Sequence, residues 1–109
     1  MKKIFFVSLL ATSLNCHSAG SQTGIIKYIQ VRASDGLVYF ALKGTKVNSP
    51  PCATNHYWMI QDENSEAGKK QFSMLLAAAT SGITISVEGT NDCSRWGDGE
   101  SVNKITFRL

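Results

Sequence analysis

Asp35-Gly36 stands between two runs of strand-forming residues, 25–32 (IIKYIQVR) and 37–42 (LVYFAL), with only Ala33 and Ser34 beside it in the connection. Glycine takes a positive φ without steric cost, so Asp-Gly in this setting marks a hairpin. A tight hairpin leaves no room for a helix between strands one and two. That excludes a split ferredoxin-like unit, which needs a helix at that point.

The rest of the chain extends the pattern. A polar loop at 44–53 carries Pro50-Pro51-Cys52, and proline blocks ladder pairing, so this loop must leave the sheet edge. Residues 56–60 (HYWMI) make a short third strand. Asp62, Asn64 and Ser65 then supply helix caps, with acids in the first turn. Phe72, Leu75, Leu76 and Ala79 recur at helical spacing, which predicts a helix over 65–81 ended by Gly82. Ile83, Ile85 and Val87 alternate with Thr84, Ser86 and Glu88 in a fourth strand. A loop at 89–99 holds Cys93 and Trp96, and a last strand at 102–109 places Ile105, Phe107 and Leu109 on one face. The order β-β-β-α-β-β is mainly β with one helix, and it predicts a five-stranded Greek-key barrel of the OB-fold with the helix closing one end. Another small β-barrel or an α+β roll is the alternative.

The start of the chain has a different character. Met1-Lys2-Lys3 is cationic, residues 4–14 (IFFVSLLATSL) are apolar, and small residues cluster at Cys16, Ser18, Ala19 and Gly20. Those zones come in signal-peptide order, and the apolar run is shorter than the roughly 20 residues that a membrane span needs. Cleavage is expected between Ser18 and Gly20, so that 1–19 is a leader and 20–109 a single exported domain, periplasmic or secreted. Lipid attachment at Cys16 fits the preceding Ser13-Leu14-Asn15 poorly. Processing changes the arithmetic: a formal charge of +3 falls to +1 without Lys2 and Lys3, and three cysteines become two. In an oxidising space Cys52 and Cys93 are expected to form a disulfide.

Chemistry-bearing residues are few. His56 is the single histidine after processing, so a zinc site would have to be built mostly from carboxylates, and no nucleophile motif is present. The residues argue against an enzyme, a metal and a cofactor. A charge of +1 is too small for a nucleic-acid track, and Lys69-Lys70 reads as a solvated helix face. The run Trp96-Gly97-Asp98-Gly99-Glu100 is the most distinctive. Either Trp96 stacks on a sugar ring while Asp98 and Glu100 accept hydroxyl hydrogen bonds or contribute to a weak calcium site, or Trp96 packs beside the disulfide as scaffold.

Several stretches resemble the B subunits of subtilase-cytotoxin and typhoid-toxin type. These are Thr23-Gly24-Ile25-Ile26, Tyr39-Phe40 with Gly44, Cys52-Ala53 followed by Trp58, and Phe72 with Leu75 ahead of Ser81-Gly82-Ile83-Thr84-Ile85-Ser86-Val87. The resemblance covers about two thirds of the processed chain, which lacks the family's second disulfide. It implies an exported OB-fold protein that forms a ring-shaped homopentamer, binds a cell-surface glycan or protein partner, and accompanies an enzymatic A subunit. It also implies that Thr23 contacts sialic acid through its hydroxyl, and that the helix lines the ring centre with Lys69, Lys70 and Ser73. The competing expectation is a stand-alone periplasmic or secreted β-barrel that acts as an accessory or inhibitor without a glycan site. Exposure of Trp96 separates the two.

Overall fold

The computed structural model describes residues 19–109; all of the expected leader but Ala19 lies outside the described residues. The elements are β1 (Ser21–Gly24), β2 (Ile26–Val31), β3 (Val38–Leu42), β4 (Trp58–Met59), α1 (Glu66–Ser81), β5 (Ile85–Gly89) and β6 (Glu100–Phe107). They form one mixed sheet in the order β1-β5-β6-β4-β3-β2, antiparallel except where β4 runs parallel to β6. The chain is mainly β with one helix.

The hairpin is present. Gly36 has φ of 74°, its N–H donates to the Arg32 carbonyl at 2.9 Å, and Asp35 Oδ1 accepts from Leu37 N–H at 3.1 Å. The first strand differs from the expected 25–32, because it starts at Ser21 and breaks at Ile25. Its halves take different partners, β1 pairing with β5 and β2 with β3. The break is forced by a close backbone approach: a Cβ at Gly24 would sit 1.7 Å from the Lys43 carbonyl oxygen. Ile25 alone therefore separates two segments that lie at opposite ends of the sheet order.

The third strand shrinks from the expected 56–60 to two ladder residues, since β3 pairs with it only at Tyr39 and Phe40. The fourth starts at Ile85, two residues after the expected Ile83, and continues to Gly89, one beyond the expected Glu88. The last strand begins at Glu100, where Glu100 and Ser101 lie beside Trp58 and Met59, and it ends at Phe107. Leu109, expected to face inward, is fully exposed because the register with β5 finishes at the Phe107 and Ile85 pair.

Helix α1 is capped as its sequence predicts. The Ser65 side chain accepts from Gly68 N–H, and Gly82 takes the left-handed conformation at φ 71° while donating to the Ala78 carbonyl. The buried stripe is rotated from the expected one. Gly68, Leu75 and Ala78 are buried and Phe72 packs against the core, whereas Leu76 is 47% exposed and Ala79 faces solvent. Gly68 sets the rotation, because its Cα lies so close to the Asp62 carbonyl that a Cβ would fall 1.9 Å from that oxygen.

The core gathers Phe40, Leu42, Trp58, Leu75, Ile85, Val87 and Val102. Its one indole N–H is satisfied internally: Trp58 Nε1 donates to Gln22 Oε1 at 2.8 Å, and Gln22 Nε2 donates in turn to the Gly44 carbonyl at 2.7 Å. Burying polar atoms this way avoids the cost of leaving them unpaired.

Candidate binding site

Two loops meet over the outer side of β3 and β4. The hairpin loop supplies Arg32 and Leu37, the loop between β5 and β6 supplies Trp96, and Tyr39 and Tyr57 form the floor; together they line a concavity of about 140 Å³. Pockets for drug-sized ligands are roughly 300–1,000 Å³, so this one suits a single ring lying against its wall.

The tyrosines reach it by strand alternation. Tyr39 points out between buried Val38 and Phe40, and Tyr57 precedes buried Trp58. Their rings meet edge-on with centroids 5.6 Å apart. Trp96 is 36% exposed, and the Arg32 guanidinium lies 3.5 Å from its ring centroid. Arg32 is itself fixed by two hydrogen bonds to Asp35, of 2.8 and 2.6 Å. Those bonds, with the charge of Arg95 nearby, hold the Asp35 carboxyl well below the usual carboxylate range. Arg95 ties the same loops together by donating to the Asp35 carbonyl at 3.3 Å, and its 2.8 Å ion pair with Glu63 adds the segment before α1.

On the opposite rim the Tyr57 hydroxyl donates to Asp98 Oδ1 at 2.5 Å, and Asn55 Nδ2 donates to Asp98 Oδ2 at 2.7 Å. Burial and the bond to Asp98 push the Tyr57 phenol up to about 12. A phenol raised in the folded state binds its proton more tightly than in the unfolded chain, so its contribution to stability is complete below pH 10.0 and is lost as pH rises toward about 12. At pH 11, absorbance at 295 nm is therefore expected to show less phenolate in the folded protein than in urea. The difference should shrink in Tyr57→Phe.

The four candidate ligand residues do not converge. Trp96 lines the concavity and Asp98 holds its rim, with both carboxylate oxygens engaged. Glu100 faces the interior: it is fully buried and accepts from Gly20 N–H at 3.1 Å and Asn91 N–H at 2.9 Å. The run 96–100 thus presents neither two carboxylates to a sugar nor a paired-carboxylate calcium site, because strand β6 has already begun at Glu100 and turns that side chain inward. Thr23 is exposed on β1, where its hydroxyl meets that of Ser86 at 2.8 Å. It borders a separate groove lined by Ser21, Glu88, Lys104 and Arg108.

Cys52 and Cys93 are bonded, with Cα atoms 6.1 Å apart, which fastens the loop before β4 to the loop that carries Trp96. His56 hydrogen-bonds to the Tyr28 hydroxyl at 3.0 Å and meets the Tyr57 ring edge-on. Among the described residues no helix is long and apolar enough to cross a membrane. Arg32, Tyr39 and Tyr57 were missed in the sequence; for the two tyrosines the available signal was an outward aromatic beside inward ones in LVYFAL and HYWMI. No family model, curated protein or solved structure matches the chain.

Proposed function

We propose that this chain is a non-catalytic, exported binding subunit, similar to the glycan-binding B subunits of pentameric toxins, and that a sugar ring docks against Trp96, Tyr39 and Tyr57. The observation that carries this reading is the aromatic-walled concavity between the hairpin loop and the loop before β6, rimmed by Arg32 and Asp98. Aromatic faces cover the apolar side of a sugar, and the charged rim offers hydrogen bonds to its hydroxyls. Loops at this position beside strands two and three are where OB-folds bind oligosaccharides. The sheet order supports the barrel, since a single strand bent at Ile25 would close it. The disulfide suits an oxidising compartment.

A glycan array probed with the multivalently displayed protein tests this. Trp96→Ala is expected to weaken binding tenfold or more, about 1.4 kcal/mol, while Thr23→Ala leaves it within a few-fold. The reverse ranking would move the site to the groove on β1. Light scattering tests the ring, in which α1 would present Lys69, Lys70 and Ser73 to the centre; a stable monomer at micromolar concentration sinks that part. One observation favours the accessory or inhibitor reading: Arg32 is already bonded to Asp35, and Asp98 to Tyr57 and Asn55. Absence of any glycan binding would select it.

A further inference from the structure

Glu100 has no part in that reading, yet the fold is built around it. Its side chain is completely buried, Oε2 takes both backbone N–H groups, and Oε1 is buried without a hydrogen-bond donor among the described residues. Two glycines form its walls: a Cβ at Gly20 would fall 2.2 Å from Oε1, and one at Gly89 would fall 1.8 Å from Oε2. The Gly20 carbonyl also accepts from Gly89 N–H at 2.8 Å, which fixes the chain entering β1 against the carboxylate. A buried carboxylate with an open oxygen calls for a cation. Lys46 is the charged group whose field reaches it, but the Lys46 ammonium donates to the Tyr57 carbonyl at 3.1 Å and sits 4.2 Å from the Trp58 ring centroid.

We propose that the missing partner is the protein's own α-ammonium, set free at Ala19 or Gly20 when the leader is removed, so that export processing completes the Glu100 site. Hydrolysis by a signal peptidase consumes one water. The peptide C–N bond breaks, the hydroxyl joins the carbonyl carbon of the departing leader, and the released nitrogen becomes an amine that is protonated at neutral pH. Gly20 N already stands 3.1 Å from Oε2. As an amide it has one hydrogen; as a terminal ammonium it has three and can serve Oε1 as well. With Ala19 first, the ammonium lies one residue upstream while Gly20 N–H keeps its bond. A precursor that still carries its leader lacks this ion pair.

The inference rests on the export reading for the cut, and on neither glycan binding nor ring formation. The full chain is expressed in a bacterial host, the periplasmic protein is analysed by intact mass and N-terminal sequencing, and its α-amine is acylated at neutral pH. Ala19 or Gly20 is expected as first residue, with acylation at least tenfold slower in the folded protein than in urea. An uncut chain overturns the export reading together with this one. A first residue elsewhere, or equal acylation in both states, overturns this inference and leaves export standing. The comparison needs no variant; where Glu100→Gln folds, it should restore fast acylation, and persistent protection would overturn the pairing.

Discussion

Reducing the Cys52–Cys93 bond is expected to lower the unfolding midpoint by roughly 15–30 °C. The bond closes a loop across a sequence separation of 41 residues, and the chain-entropy treatment assigns such a loop about 4 kcal/mol. In a domain of this size each kcal/mol shifts the midpoint by roughly 4–8 °C. The loss should fall on the unfolded state more than on the site. Asn55 N–H donates to the Asp98 carbonyl at 3.1 Å and its side chain grips the Asp98 carboxylate, so the two loops remain joined without the covalent link. Thermal melts with and without reductant, alongside Cys52→Ser/Cys93→Ser, measure the first effect. Near-ultraviolet circular dichroism below the midpoint should change little, and large loss of the Trp96 and Tyr57 signals there would show that the bond shapes the site itself.

Gly89→Ala should be among the most damaging small substitutions, costing roughly 3 kcal/mol or more, at the upper end of overpacking effects. The new methyl would lie 1.8 Å from Glu100 Oε2 and 2.1 Å from Cδ. Glu100 cannot swing away, because it is fully buried and holds Gly20 and Asn91. Strands β5 and β6 would have to separate instead, at a point where Gly89 pairs with Val102. Denaturant unfolding checks the cost, and a double-mutant cycle checks its cause. Gly89→Ala with Glu100→Ala should lose less than the sum of the two single changes, since the clash disappears with the side chain. Simple additivity would place the effect elsewhere.

Features written in adjacent residues were legible in the sequence. Asp35-Gly36 specified the hairpin, Ser65 and Gly82 specified both ends of the helix, and alternation identified the buried face of β5. Features set by contacts between distant segments were not. The bend at Ile25 depends on the backbone of Lys43, and the rotation of α1 depends on Gly68 meeting Asp62. A glycine on a helix reads as a gap in the apolar pattern, so periodicity centres the stripe on Phe72, Leu75, Leu76 and Ala79, of which only Phe72 and Leu75 pack inward, while the closest contact is made by the residue with no side chain. Glu100 shows the same limit at the site. Beside Asp98 in sequence it looks like a second exposed acid, but the strand start that turns it inward is set by pairing with Trp58 and Met59.

Strand β6 joins the two parts of the sheet, β1 with β5 on one side and β4, β3 and β2 on the other. It is also the last strand in sequence order among the described residues. Non-local pairings of this kind form late, because the loops that bring them together must be closed first. During synthesis the preceding residues can hold only two separate pieces of ladder with their apolar faces uncovered. The shared core is completed when Glu100–Phe107 emerges, so a ribosome stalled before that strand would display a chain with its hairpin in place and no assembled interior.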